Sequence, residues 1–224
     1  MVSKKHILTL INILFIFTLH AQTRININPG AEYTSSFNRV KAIVFGISNY
    51  KNLPLEKQLE FADDDAISFY KFLLNRNDII KPHNIFPFFN HEATGKIKIE
   101  TLLYNHLVRD AKDGDLVIIY FAGHGNVQSF GENHEEGFLL FHNVRNDGDY
   151  LAPGNDAVPM RTIQHYINLA PSGVKILLIT DACRSGKLIG EEQNSSKFLT
   201  SLLQDWEKTW KLVSCQPNQV SHEN

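Results

Sequence analysis

The sequence predicts an α/β fold of three layers, in which a mostly parallel central sheet has helices on both faces. β-rich apolar runs alternate along the chain with segments whose apolar residues recur at helical spacing. The run at residues 116–121 (LVIIYF) is apolar on both faces, which is typical of a central strand in a parallel sheet, and the run at 174–180 (VKILLIT) predicts the next buried strand. With 224 residues, 43% of them hydrophobic, the chain can bury one substantial core, so we expect a single domain.

The elements follow one another as strands and helices do in a wound parallel sheet. Acidic residues stand early in the first helical segment, where a helix N-terminus favours negative charge. A polar segment at 128–136 precedes a small strand in an excursion from the sheet. The predicted elements are strand 40–47, helix 59–74, strand 85–89, helix 97–111, strand 116–121, strand 137–141, helix 160–170, strand 174–180, helix 198–208 and strand 211–215. The ligand site of such a fold lies beyond the carboxyl ends of its central strands.

The N-terminus has the pattern of a secretory signal peptide. Lys4 and Lys5 precede an apolar stretch at residues 7–19, and the small residue Ala21 marks a cleavage point. A short membrane anchor is the alternative, but the stretch falls below the roughly 20 apolar residues that a spanning helix needs. We therefore expect a signal peptide at 1–21, a flexible segment at 22–38 and one domain at 39–224. The mature protein would be periplasmic or extracellular, without stable insertion in a membrane.

Charge and cysteine content limit the kinds of partner. The net charge of −2 and the absence of a long block of like charges give no reason to expect a nucleic acid or an anionic membrane as partner. Export would place Cys183 and Cys215 in an oxidising compartment, where they can form a disulfide. A domain of this size does not need such a bond, and small residues surround Cys183, which favours an accessible thiol. Both interpretations of Cys183 stay open at this point.

Two predicted central strands end in chemically unusual segments. The strand at 116–121 runs into Ala-Gly-His124-Gly-Asn, and the strand at 174–180 runs into Asp-Ala-Cys183-Arg-Ser-Gly. If both strands are central and parallel, His124 and Cys183 emerge at the same edge of the sheet. An imidazole near a thiol raises its thiolate fraction and relays a proton to a leaving amine. The pattern therefore predicts nucleophilic catalysis by a Cys-His pair.

These two segments carry a resemblance to a known family. YFAGHGN at 120–126 and ITDACRSG at 179–186 resemble the histidine and cysteine motifs of the caspase-like cysteine peptidases, which include metacaspases and their bacterial relatives. The resemblance runs from about residue 40 to the C-terminus and implies a caspase-like fold. It implies Cys183 as nucleophile, His124 as general acid and base, and the amides of Gly125 and Cys183 as oxyanion donors. It implies an acyl-enzyme and no organic cofactor.

The resemblance also indicates specificity for basic residues. Asp181 stands where animal caspases have glutamine and metacaspases, which cut after Arg or Lys, have aspartate. Asp65 matches a family position just before an alanine on the first helix, so two carboxylates are expected in one substrate pocket. A partly desolvated carboxylate pairs with guanidinium or ammonium and repels an acidic side chain. Asp63 and Asp64 are assigned instead to the helix N-terminus.

The chain departs from the family pattern in several places. Ala122 replaces a serine that many metacaspases carry before Gly-His-Gly, which removes a polar contact from the expected pocket. Some metacaspases need calcium, and Glu191 and Glu192 lie in the relevant neighbourhood, but their spacing assigns no metal ligand, so calcium dependence stays open. Family members continue past the last segment with a further helix and strand, so we expect the C-terminal portion of the domain to be incomplete.

The sequence therefore predicts an exported cysteine endopeptidase that cleaves polypeptides after Arg or Lys through an acyl-enzyme. The alternative is a non-catalytic scaffold that keeps the caspase-like fold as a binding module. Retention of both His124 and Cys183 favours the enzyme. A basic-specific peptidase of a related cysteine family, with the same His-Gly and Cys arrangement, is a further alternative within the enzyme class.

Overall fold

A five-stranded parallel sheet forms the centre of the computed structural model, in which residues 37–131, 134–182 and 206–213 are described. In spatial order its strands are β2 (Ile85–Phe89), β1 (Arg39–Gly46), β3 (Asp115–Ala122), β7 (Lys175–Asp181) and β8 (Thr209–Val213). Every neighbouring pair is parallel. The prediction of a mostly parallel central sheet is confirmed, and β3 is its middle strand, buried along its whole length.

Helices cover both faces of this sheet. The described residues contain α1 (Ala62–Leu74), α2 (Lys96–Leu103), a π-helix (Tyr104–Arg109) and α3 (Met160–Leu169). Phe69 of α1 stacks on Tyr120 of β3, with ring centroids 4.5 Å apart. On the other face, His106 of the π-helix stacks at 3.9 Å on Phe86, which is in register through β1 with Ile119. Since consecutive strand residues point to opposite faces, α1 and the π-helix cover opposite faces of the sheet.

A second, antiparallel sheet follows the central strand. It consists of β4 (Gly125–Ser129), β5 (Glu135–Leu140) and β6 (Ala157–Pro159), with β5 in the middle. The small strand predicted at 137–141 is confirmed as part of β5. The interpretation of 128–136 as a polar connection is wrong at both ends, because β4 and β5 pair there. The sequence pattern predicts neither β4, which starts with Gly-Asn, nor β6, which has three residues and ends in proline.

The second predicted helix changes its geometry halfway. Residues 97–111 are predicted as one amphipathic helix, but the α-helical part ends at Leu103 and the π-helix follows. The wider spacing is visible at its end, where the main-chain N–H of Asp110 donates to the carbonyl of Asn105 at 2.9 Å. Residues 97–111 contain no glycine or proline from which the change to a π-helix could be predicted. The wider turn carries His106 and Arg109 against the start of the central sheet.

Two boundaries differ from the prediction for identifiable reasons. The helix predicted from residue 59 begins at Ala62: the main-chain N–H of Leu59 ties residue 59 to the carbonyl of Ser48 at 3.0 Å, and the N–H of Asp65 donates to the carbonyl of Phe61 at 2.9 Å in the first helical turn. The strand predicted from residue 211 begins at Thr209, which is in register with Ile176 of β7. Of the helix predicted at 198–208, residues 198–205 lie outside the described residues, and residues 207–208 form a turn rather than a helix.

An aromatic cluster ties the second sheet to the first. Phe141 directly follows β5 and meets Phe45 at 5.3 Å and Phe121 at 5.4 Å, both in edge-to-face geometry. Phe45 also stacks on Phe88 at 5.6 Å, so the cluster reaches across β2, β1 and β3. Each fully buried aromatic side chain stabilises the fold by about 1.5–3 kcal/mol. The cluster fixes the excursion next to the ends of the central strands.

Some predictions fall on residues that the structure does not describe. They include the signal peptide at 1–21, nearly all of the segment at 22–38, and both cysteines, Cys183 and Cys215. Within the described ranges, no helix is long and apolar enough to span a membrane.

The packing of α1 on β1 makes a stability prediction. A Cβ atom at Gly46 would collide with the Cβ of Ala66 and lie 3.0 Å from the Cα of Asp63. Overpacking of this kind costs about 1–3 kcal/mol, so we expect Gly46→Ala to lower the free energy of unfolding by that amount in urea denaturation. Ala66→Gly alone should cost about 1 kcal/mol through helix propensity. The double variant should lose less stability than the sum of the single changes, and strict additivity would contradict the collision.

Candidate active site

Three parallel strands end level with one another at one edge of the central sheet. Gly46, Ala122 and Asp181 are in register at the ends of β1, β3 and β7. Main-chain hydrogen bonds continue the pairing past the ends of the strands. The N–H of Ile47 donates to the carbonyl of Ala122 at 2.9 Å, and the N–H of Gly123 donates to the carbonyl of Asp181 at 3.2 Å. The chain reaches His124 one residue after Gly123. Two segments that the sequence singles out therefore leave the sheet side by side.

His124 is fully buried, with 0% of its surface exposed, and its hydrogen bonds fix its orientation. Its ring Nε2 lies 2.7 Å from the main-chain carbonyl oxygen of Lys57. Because a carbonyl oxygen only accepts hydrogen bonds, Nε2 must carry a proton, and the neutral ring then has its basic lone pair on Nδ1. The main-chain N–H of His124 donates to the Tyr50 hydroxyl at 2.7 Å, and the two rings lie 4.8 Å apart. Burial raises the pKa of Tyr50, so this hydroxyl stays neutral.

A single glutamine shapes the loop that supports His124. The Gln58 side chain accepts the N–H of Tyr50 at 2.5 Å and donates to the carbonyls of Tyr50 at 2.9 Å and Leu53 at 2.8 Å. A 3-10 turn at Leu55–Lys57 lies inside the loop that these bonds close. Gln58 thus holds together the Tyr50 hydroxyl and the Lys57 carbonyl that contact His124. Sequence reasoning missed this loop, because its contact with the imidazole is made by a main-chain atom that any residue supplies.

Gly125, predicted as an oxyanion donor, begins β4 opposite Leu139. The neighbouring N–H of Leu140 donates to the carbonyl of His124 at 2.9 Å. Antiparallel pairs alternate between hydrogen-bonded and non-hydrogen-bonded, so the Gly125–Leu139 pair is non-hydrogen-bonded. The main-chain N–H of Gly125 therefore points away from β5.

The predicted substrate acids lie on one face at this edge. Asp181 is half-buried and is in register, through Ala122, with Gly46. The Cα of Gly46 faces Ala66 of α1, and the half-buried Asp65 precedes Ala66 in the first turn of this helix. Partners in register point to the same face, so Asp181 lies on the face that α1 covers. The structure thus places Asp65, on the helix that packs against the end of β1, and Asp181, at the end of β7, on the same side of the sheet.

Asp63 does more than favour a helix N-terminus. Its carboxylate accepts the Ser48 hydroxyl at 2.5 Å and the Asn90 side-chain amide at 2.7 Å. The side-chain oxygen of Asn90 accepts the main-chain N–H groups of Ser48 and Asn49, both at 3.0 Å. This network fastens the loop after β1 to α1 and to the residue after β2. The assignment of Asp63 and Asp64 to helix polarity alone is therefore too simple for Asp63.

A cleft of about 190 Å³ opens beside the loop that supports His124. Its walls include Lys57 from that loop, Asn126 from β4 and Tyr150, whose hydroxyl accepts the Asn126 side-chain amide at 2.6 Å. The Lys57 ammonium donates to the side-chain oxygen of Asn146 at 3.1 Å, which closes one side of the cleft. The cleft combines polar groups with apolar walls next to the buried histidine.

Several predicted groups of the site fall outside the described residues. Cys183 begins the segment 183–205, which also contains Glu191 and Glu192. In the part of the chain that the structure describes, no three His, Cys, Asp or Glu side chains are grouped as they would be around a metal ion.

The Asp63 network makes a prediction with a matched control. Asp63→Ala removes the acceptor of Ser48 and Asn90 and leaves partly buried donors without it, so we expect a loss of about 1–3 kcal/mol in the free energy of unfolding. Asp64→Ala removes the same charge from an exposed position in the same helical turn, and should cost less than about 1 kcal/mol. Chemical denaturation measures both. Equal losses would show that helix polarity is the whole contribution of Asp63.

Comparison with known proteins places these observations in a family. The sequence model that describes the caspase-domain family matches residues 39–224 of this chain. Metacaspase-1 of Plasmodium falciparum is 26% identical over 179 residues, which cover 72% of this chain and 27% of that protein. Metacaspase-7 of Arabidopsis thaliana is 27% identical over 103 residues, which cover 45% of this chain and 23% of that protein. The chain thus spans about a quarter of the length of these relatives.

A solved structure supports the fold independently. The crystal structure of a protein from Geobacter sulfurreducens matches with a TM-score of 0.58 at 14% sequence identity, covering 83% of this chain and 76% of that one. At this identity the match shows the fold alone. The family resemblance of the histidine and cysteine motifs is confirmed by the match of the family model over the whole segment that contains them, and this chain belongs to the caspase-domain family.

Proposed function

We propose that this chain is an exported cysteine endopeptidase that cleaves polypeptides after Arg or Lys, with Cys183 as nucleophile and His124 as general base and acid. The observation that carries the proposal is the buried imidazole of His124, held through Nε2 by the Lys57 carbonyl at 2.7 Å. It lies at the edge of the sheet where β7 ends, two residues before Cys183. Membership of the caspase-domain family supports peptide bonds as the substrate.

The tautomer of His124 suits the first chemical step. With the proton of the ring on Nε2, Nδ1 takes the proton of the Cys183 thiol, and the thiolate attacks the carbonyl carbon of the scissile bond. A carbon–sulfur bond forms while the carbonyl oxygen becomes an oxyanion. The main-chain N–H of Gly125, which points away from β5, and that of Cys183 donate to this oxyanion.

The remaining steps return the enzyme to its starting state. The imidazolium gives its Nδ1 proton to the leaving amine as the carbon–nitrogen bond breaks, which leaves a thioester on Cys183. Water then attacks the thioester, His124 accepts a proton from this water, and the thiol is restored as the new carboxyl group leaves. Throughout, the Lys57 carbonyl keeps its hydrogen bond to Nε2 and stabilises the imidazolium, as a fixed dipole aimed at developing charge does. These steps need no organic cofactor.

The acids at the sheet edge supply the specificity. Asp65 and Asp181 lie on the same face, which α1 covers, beside the end of the middle strand. A carboxylate there pairs with a guanidinium or ammonium by charge-assisted hydrogen bonds and repels an acidic substrate side chain. Ala122, which is buried and in register with Gly46 and Asp181, offers no side-chain hydroxyl to the substrate.

Cleavage of matched fluorogenic peptides that end in Arg, Lys or Asp tests the proposal. We expect the mature chain to cleave after Arg and Lys, and Cys183→Ala to abolish cleavage. Asp181→Asn should lower kcat/KM for Arg peptides by about tenfold or more, because hydrogen bonds between charged groups contribute about 1.5–3 kcal/mol. Each reaction is run with calcium and with a chelator, since the sequence leaves calcium dependence open.

Cys215→Ala is the matched control for the nucleophile. It should keep full activity and show one reactive thiol in alkylation, whereas a disulfide between the two cysteines would leave none in the unreduced parent chain. Cleavage only after Asp would contradict the acidic pocket. Silence of all peptides with a folded, alkylatable Cys183 would favour the non-catalytic scaffold.

Gln58 provides a test of the support behind His124. Gln58→Ala releases the loop that presents Tyr50 and the Lys57 carbonyl, so the imidazole loses its fixed orientation. We expect kcat per alkylatable thiol to fall by about tenfold to a hundredfold with KM nearly unchanged, because small displacements of a catalytic group have effects of this size. Gln164→Ala on α3, whose side chain makes no hydrogen bond among the described residues, is the control. An unchanged kcat for Gln58→Ala would exclude a positioning role.

A further inference from the structure

A second cavity lies at the amino ends of the central strands, whereas His124 lies at their carboxyl ends. It has a volume of about 400 Å³ and is lined by residues from the starts of β1 and β2, from the π-helix and from the loop before β3. The middle strand β3 has eight residues, so about 23 Å of sheet separates this amino edge from the carboxyl edge. The cavity is therefore distinct from the proposed peptidase site, and nothing in the proposed reaction uses it.

The lining of this cavity is rich in cations. Four of its side chains are cationic, and its apolar wall is the stacked pair of Phe86 and His106, with ring centroids 3.9 Å apart. The cationic residues are Arg39, Lys41, Arg109 and Lys112. A volume of this size is within the range of small-molecule sites, and an aromatic wall beside charged groups is a common composition for them.

Lys41 is the central group of the cavity. Only 3% of its surface is exposed, and it is therefore the most buried of the four cations. Among the described residues, its ammonium makes no hydrogen bond or ion pair. Asp110 and Asp115 attract it electrostatically without direct contact. Burial lowers the pKa of Lys41. The side chain lines the cavity, where its ammonium has lost part of its hydration, and an anion in the cavity would compensate for that loss.

The other charges of the cavity do not cancel this excess. Asp115 is held by the Arg39 guanidinium at 2.5 Å and by the main-chain N–H of Lys112 at 2.9 Å. Asp110 pairs with Arg109 at 2.9 Å. These two carboxylates face four cations, which leaves an excess of two positive charges around the cavity. A phosphate monoester carries a charge of about −1.5 to −2 at neutral pH, which matches this excess.

His106 provides a second buried polar atom. Its Nδ1 is buried and has no hydrogen-bond partner among the described residues. Burial and the nearby Lys41 lower the pKa of His106 to about 4, so the ring is neutral at physiological pH. The residue belongs to the π-helix, a rare geometry that is frequently found at functional sites. Its wider turn is what brings both His106 and Arg109 to the cavity.

We propose that this cavity binds a phosphate-bearing small molecule, with the Lys41 ammonium as the central contact and Arg109 and Lys112 at the rim. The phosphate group lies against Lys41, and the organic part of the ligand covers the Phe86 and His106 rings. The site is independent of the proposed peptidase activity, so its test needs no turnover.

Calorimetric titration of the full chain with inorganic phosphate and with phenyl phosphate, at constant ionic strength in chloride, tests the site. We expect both to bind, with phenyl phosphate tighter because its ring covers the aromatic wall. Lys41→Met keeps the length of the side chain and should weaken binding by about tenfold or more, the effect of losing a charged hydrogen bond. Lys71→Met, at an exposed position on α1, is the control and should leave affinity unchanged.

Two further measurements keep the test decisive. If Lys41→Met fails to fold, Arg109→Gln replaces it, because that side chain is 58% exposed and its loss should weaken binding without unfolding the chain. In NMR titrations, a bound phosphate should raise the pKa of His106 from about 4, since a nearby anion favours the imidazolium. Absence of binding at about 10 mM of either probe, or equal affinity of the parent chain and both pocket variants, would overturn the proposal.

Discussion

The register that aligns the ends of β1, β3 and β7 is the constraint on which the site depends. Gly46, Ala122 and Asp181 end their strands level, and main-chain hydrogen bonds extend the pairing one residue further on both sides of β3. A slip by one residue would move every side chain of a strand to the other face. It would turn Asp181 away from α1 and shift His124 relative to the Lys57 carbonyl. The apolar strands thus determine the geometry of the polar groups that follow them.

Beyond the strands, side-chain amides and carboxylates replace the sheet as the source of order. Asn90 and Asp63 fasten the loop after β1, and Gln58 closes the next part of the same loop. Each of these groups bonds to main-chain or hydroxyl partners that are partly buried, so each loss leaves an unsatisfied donor or acceptor. The result is a preorganised support behind His124. An imidazole held in one tautomer needs no reorientation at the moment of proton transfer, which is the advantage that such rigidity gives to catalysis.

The sequence predicts the apolar part of this molecule better than the polar part. The strand at 85–89 is confirmed to the residue and the central strands to within one residue at each end, because runs of branched and aromatic residues have few alternative structures. Of the second sheet, the predicted strand at 137–141 is confirmed as part of β5, whereas β4 is missed, because it starts with Gly-Asn and has one branched apolar residue, Val127. The π-helix and the Lys57 carbonyl are missed for a different reason. They depend on main-chain geometry, which side-chain patterns do not encode at these positions.

The same sheet places opposite charges at its two edges. At the carboxyl edge, Asp65 and Asp181 lie on the α1 face, whereas at the amino edge Arg39 and Lys41 start β1 on the face of the π-helix.

Lys41 occupies a strand position that a branched apolar residue would fill at no electrostatic cost. Its neighbour Arg39 is compensated by Asp115, but the Lys41 ammonium has no such direct partner within the described residues. The desolvation of this ammonium therefore opposes folding unless an anion enters the cavity. An anion that contacts Lys41 in the native state therefore raises the free energy of unfolding with the logarithm of its concentration divided by its Kd, and the amino edge contributes least to stability when the cavity holds water alone.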